Sequence, residues 1–64
     1  MKFEIGDKVL LGCGTIGVVD ELDWNKEYPI LVKSNFDHKY YSFTTEGIWD
    51  IDNPVQIHNI VRIL

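Results

Sequence analysis

Cysteine is almost missing from this sequence: Cys13 is the single one among 64 residues. One thiol excludes an intrachain disulfide framework and fits a reducing cytosol. Positive charge is also scarce. Six Lys and Arg stand against ten Asp and Glu, a formal net charge of −4 with both histidines neutral. Binding to a DNA or RNA backbone calls for a basic stripe, so general nucleic-acid binding is not expected. No run approaches the roughly 18 apolar residues of a membrane helix, so no membrane partner is expected. The opening Met1-Lys2-Phe3-Glu4-Ile5-Gly6-Asp7 lacks an apolar signal stretch, and the expected location is cytoplasmic. Metal ligands are sparse too. His38 and His58 stand far apart with no Cys-x-x-Cys partner, so neither a metal nor another cofactor is expected.

What is present is an ordinary globular composition, 45% hydrophobic and 25% charged. A chain of this length allows one domain, residues 1–64, with a small core. Turn-like clusters recur at Gly6-Asp7, Gly12-Cys13-Gly14, Asp23 to Glu27, Ser34-Asn35, Thr44 to Gly47 and Asp52-Asn53-Pro54. Between them lie short stretches rich in β-branched and aromatic residues. Strands are predicted over Lys8 to Leu11, Thr15 to Leu22, Pro29 to Lys33, Lys39 to Thr44 and Ile57 to Ile63. Short strands with turns every eight to twelve residues indicate an all-β barrel or sandwich. One short helical turn near residues 53–58 is compatible with Pro54 at its first position.

Side chains alternate across a strand, which assigns the faces. Val9, Leu11, Ile30, Val32, Tyr41, Phe43, Val61 and Ile63 are expected to point inward. Gly17, inside the second strand, suggests a bulge that would keep Ile16, Val19 and Leu22 inward. The outward faces then hold a surplus of apolar residues: Leu10, Val18, Leu31, Tyr40, Ile60 and Leu64. Such a surplus suggests a self-association patch, with Leu10, Val18, Leu31, Ile60 and Leu64 as the expected oligomer interface.

The order of blocks resembles that of a five-stranded Src-homology-3-like barrel. Phe3-Glu4-Ile5-Gly6-Asp7-Lys8-Val9 resembles the Gly-Asp opening of that fold, and Gly14-Thr15-Ile16-Gly17-Val18-Val19 resembles the second strand of Tudor-like and KOW-like barrels. More narrowly, the chain resembles small uncharacterised proteins of bacteriophages and prophages. Tyr28-Pro29-Ile30-Leu31-Val32-Lys33, Phe43-Thr44-Thr45-Glu46-Gly47 and the linker Asp50-Ile51-Asp52-Asn53-Pro54 carry that likeness. Glu46 replaces the usual aspartate of the turn, and Trp49 keeps the usual aromatic after it. The resemblance implies a small, strongly bent antiparallel barrel in a phage setting within a bacterial host cell. It implies no particular chemistry.

The residues themselves point to binding rather than catalysis. Cys13 with His38 or His58 and Asp37 contains the residue types of a nucleophile, base and orienter. The spacing gives that trio no support, and Cys13 between two glycines reads as a small residue in a tight bend, so no enzyme is expected. Gly12 to Gly17 matches Gly-x-Gly-x-x-Gly, but that fingerprint works at a strand-to-helix turn and a strand follows here. Tyr and Trp are enriched at binding hot spots. Trp24 in a polar loop, Tyr28, Tyr40 and Trp49, with the cations Lys33, Lys39 and Arg62, are therefore the candidate binding residues. The leading expectation is a non-enzymatic, anti-defence or accessory module that binds a host protein. The alternatives are an oligomeric sponge for a small signalling nucleotide, held by Lys33, Lys39 and Arg62 with Tyr40 or Trp24 stacked on the base, and a structural virion-assembly piece.

Overall fold

A computed structural model describes residues 2–50, 52 and 58–64. Five strands follow one another: β1 Lys8–Leu11, β2 Ile16–Leu22, β3 Ile30–Ser34, β4 Tyr40–Phe43 and β5 Ile60–Ile63. They form one antiparallel sheet in the order β4-β3-β2-β1-β5, which curls strongly into a half-barrel. The fold is all-β, consistent with a small Src-homology-3-like barrel, and no helix occurs among the described residues. Positions 53–57, where a helical turn was expected, lie outside the described residues, and His58 sits in a turn.

The concave face holds the core. Val9, Leu11, Val19, Ile30, Val32, Phe43 and Ile60 are buried there together with Phe3 from the segment before β1. Leu22, Tyr41, Trp49 and Ile63 pack against this cluster and are half-buried. Fully burying a side chain such as Ile30 or Phe43 contributes about 1.5–3 kcal/mol, so these few residues dominate the stability of a small domain.

Two register shifts bend the sheet. In the β2–β3 pair, Val19 faces Val32 and Glu21 faces Leu31, so Asp20 is an extra residue. In the β1–β5 pair, Leu11 faces Ile60 and Leu10 faces Arg62, so Val61 is extra. A β-bulge of this kind increases local twist and changes which side chains share a face. The fifth strand therefore departs from simple alternation. Ile60, expected on the outer interface, is buried at 4% exposure, and Val61, expected inside, is 55% exposed. Ile16 likewise points outward opposite Leu10 and is exposed. Thr44, placed outward by alternation, is buried beyond the end of β4.

Gly17 is not the bulge. It is a point of close approach between β2 and β3. A Cβ at Gly17 would stand 2.5 Å from Val32 Cγ1 and 3.0 Å from the Lys33 carbonyl oxygen. Val32 is fully buried and its γ-methyl has no room to yield. Gly17→Ala is expected to cost about 1–3 kcal/mol by overpacking, read as a lower urea midpoint. The Gly17→Ala, Val32→Ala double variant is expected to lose less than the sum of the single losses, because the clash and the cavity offset each other.

Candidate binding cleft

Two turns and the segment before β5 meet at one end of the half-barrel. The β1–β2 turn closes through Leu11 N–H to the Thr15 carbonyl at 2.8 Å and Gly14 N–H to the Leu11 carbonyl at 2.9 Å. Gly14 has φ of 92°, a left-handed conformation that glycine adopts without a Cβ penalty. Gly12 N–H donates to the Asn59 carbonyl at 2.8 Å. The Asn59 side-chain oxygen in turn accepts Trp49 N–H at 2.9 Å. Asn59 thereby brings the Cys13 turn and the 47–49 segment together, and carries its neighbour His58 with it.

The β3–β4 turn forms the other wall. Ser34 N–H donates to the Lys39 carbonyl at 2.9 Å, and Asn35 N–H ties the turn to the Ile16 carbonyl at 2.9 Å. Asp37 accepts Lys39 N–H at 3.0 Å and, on its other oxygen, the Tyr41 hydroxyl at 2.6 Å. The hydroxyl donated by Tyr41 stabilises the carboxylate and lowers the Asp37 pKa, with Lys39 N–H adding to it. The same hydrogen bond raises the Tyr41 phenol above its ordinary value.

Between these walls lies a cleft of about 240 Å³. Leu11 and Phe43 contribute to its apolar lining; Cys13, Thr15, Asp37, Tyr41 and His58 give it polar groups. Phe36, 84% exposed, stands at the same cleft. A shallower, more open groove of about 560 Å³ shares Cys13, Thr15 and Phe36 and runs on to Gly14, Ile16 and Asn35. The Cys13 thiol donates to the Thr15 hydroxyl at 3.4 Å. Once ionised, the sulfur instead accepts from Thr15, chiefly from its hydroxyl and also from its backbone, with help from His58, and this draws the thiol pKa down to about 7. The His58 ring meets Trp49 edge-on, 5.0 Å between centroids.

The residues singled out by sequence fall elsewhere. Trp24 is 56% exposed in the β2–β3 loop, at the end of β2 away from the cleft. Tyr28 is half-buried near the close of that loop, where Asp23 N–H donates to the Pro29 carbonyl. Trp49 is half-buried against the core. Lys39 is exposed in the β3–β4 turn. Lys33 and Tyr40 are brought together, being cross-strand partners with the ammonium 5.9 Å from the ring centroid. The register places Arg62 opposite Leu10 on the same outer face, with Val18 and Leu31. Leu10, Val18 and Leu31 are half-buried there, and Leu64 is exposed beyond β5.

Sequence reasoning passed over Phe36, Tyr41 and Cys13 as binding residues. The usable signal was local: Asp37 four positions before Tyr41, in a turn entering a strand. Cys13, His58 and Asp37, which spacing along the chain does not connect, line one cleft. Among the described residues no group of three metal-ligating side chains converges, and no helix is long and apolar enough to cross a membrane. Comparison of the chain with protein-family models, curated proteins and solved structures returns no match.

Replacing Tyr41 by Phe is expected to return Asp37 toward the ordinary carboxylate value of 3.8, as read by carboxyl-carbon NMR titration. The sign follows from linkage. A lowered folded-state pKa adds stability above the ordinary value, and that stability is lost as pH falls through the folded value. The Phe variant is therefore expected to lose its part of this acid-range dependence while keeping the fold.

Proposed function

We propose that this chain is a non-enzymatic binding module that docks a protein partner on the cleft and its adjoining groove. One observation carries the reading: a small, mostly apolar cleft continuous with an open groove, beside the most exposed aromatic of the described residues. At about 240 Å³ the cleft is smaller than the roughly 300–1,000 Å³ of ligand pockets. It is suited to a single anchoring side chain of a partner, with the groove receiving flanking backbone. Phe36 then acts as a reciprocal anchor, since aromatic residues in desolvated centres carry much of the binding energy. Among the described lining residues there is no Lys or Arg, whereas Asp37 supplies a carboxylate. The favoured partner segment therefore presents a large apolar residue beside a basic one. The resemblance to phage proteins makes a host protein the natural candidate and an accessory or anti-defence role the natural setting.

A second reading, sequestration of a small nucleotide, rests on a different surface. Lys33 over Tyr40, with Lys8 and Arg62 on the same outer face, supplies cations and a ring for an anionic base-bearing ligand.

Selection from a random peptide library is expected to enrich segments with a large apolar residue next to Lys or Arg. Phe36→Ala is expected to weaken their binding about tenfold or more, as for a hot spot. Asp37→Asn is expected to weaken it to a smaller degree, and Trp24→Ala to leave it unchanged. Binding lost in Trp24→Ala and kept in Phe36→Ala would overturn the cleft reading. An empty selection, with nucleotide-induced NMR shifts at Lys33, Tyr40 and Arg62, would replace it with the second.

A further inference from the structure

We propose that the partner docks as an extended strand of polypeptide on the free edge of β4, with its alternate side chains turned toward the cleft. The proposal rests on the docking reading and names the form the partner takes. Hydrogen-bond parity is its first support. β4 stands at one edge of the sheet, with β3 as its neighbour. Ser34 N–H donates to the Lys39 carbonyl, and the register continues from that pair to Val32 with Tyr41 and Ile30 with Phe43. In an antiparallel ladder, hydrogen-bonded pairs alternate with non-bonded ones, so Tyr41 and Phe43 turn their backbone groups toward β3. Tyr40, Ser42 and Thr44 turn theirs the other way. For Thr44 that side is occupied: its N–H donates to the Ile48 carbonyl and its carbonyl accepts Gly47 N–H, each at 2.9 Å. Among the described residues, no backbone group does the same for Tyr40 or Ser42. Their N–H and C=O groups therefore face outward at strand spacing, a pattern that extended polypeptide backbone matches.

The composition of the edge is the second support. Natural sheets guard an edge with charge, proline or a bulge. β4 reads Tyr40-Tyr41-Ser42-Phe43 and has neither charge nor proline, and its pairing with β3 has no register shift. The opposite edge is guarded. β5 carries Arg62 and a register shift, and its Ile60 N–H is already taken by the Gly47 carbonyl at 2.8 Å.

Position relative to the cleft is the third support. Tyr41 and Phe43 line the cleft from β4. Residues directly opposite one another on paired strands share a face. The residue of a docked strand opposite Tyr41 therefore places its side chain on the concave face, beside the Tyr41–Asp37 hydrogen bond. The Asp37 carboxylate there complements a basic side chain of the partner. At the Tyr40 end the edge runs into the β3–β4 turn, whose Asn35 and Phe36 line the groove, so a segment paired with β4 continues into that groove.

The test uses the full chain and the peptide most enriched in the library selection. Amide hydrogen exchange is followed by NMR with and without the peptide. The Tyr40 and Ser42 amides are expected to exchange fast in the free chain and about tenfold or more slower when peptide is saturating. Tyr41 and Phe43, already bonded to β3, are expected to change less. Methylating the peptide's backbone nitrogens one at a time is expected to weaken binding about tenfold at alternate positions and little at those between, since each effective methyl removes one backbone hydrogen bond. The chain itself is unaltered in that series, so its folding does not enter. A peptide that needs Phe36 yet leaves Tyr40 and Ser42 exchange unchanged, or shows no alternation on methylation, would overturn strand docking and keep the cleft reading. An empty selection, or binding indifferent to Phe36→Ala, would overturn both. Protection of Tyr40 and Ser42 that rises with chain concentration in the absence of peptide would assign the edge to a second copy of this chain instead.

Discussion

A five-stranded sheet has two faces, and in this chain the fully buried apolar side chains gather on one of them. The rest of the structure depends on the sheet curling until its concave face closes around Phe43, Ile30, Val9, Val19 and Val32. Two extra residues make the curl. Asp20 and Val61 each interrupt a ladder and give an inward pair spaced by three rather than two: Val19 with Leu22, and Ile60 with Ile63. Without those interruptions β5 would present Val61 to the core and Ile60 to water. Gly17 adds to the same result by letting Val32 come within a distance that any side chain would block.

Closing the sheet this way brings three chain segments to one end. The turns after β1 and β3 lie at the same end of β2, as the Asn35 to Ile16 hydrogen bond shows. The residues before β5 join them because Asn59 bridges Gly12 and Trp49. The cleft is thus a by-product of hairpin geometry and one bridging asparagine. Its chemistry is set by short local hydrogen bonds: Tyr41 to Asp37 on one wall and Cys13 to Thr15 on the other. Each pairs a hydroxyl with an ionisable group, and a hydroxyl that donates to the ionised partner favours the charged form.

Much of the architecture was legible in the residues. Turn clusters and short β-branched stretches placed four of the five strands within about a residue or two at each end, because glycine and proline punctuate where strands cannot continue. The inward pairs of β1, β3 and β4 followed from alternation alone. Alternation failed in β5, and the bulge in β2 fell at Asp20 rather than at Gly17, because a bulge depends on the partner strand's register as well as on the strand's own sequence. The candidate binding residues named from the sequence lie apart from the cleft. Trp24 and Tyr40 are exposed as an aromatic ligand site requires, yet Trp24 stands far along β2 from the cleft and Trp49 is packed on the core.

The sequence by itself determined the fold class, the acidic balance and the lone thiol, since each follows from composition or from contacts a few residues apart. Only the tertiary structure decided that Cys13, Asp37, Tyr41 and His58 share one cleft. Asp37 and Tyr41 are a local pair, but the separations of Cys13 and His58 from that pair carry no signal, because the sheet order, rather than spacing, brings them together. The same holds for Gly17. Its need to be glycine comes from a neighbour on the next strand, which only the closed sheet puts in place.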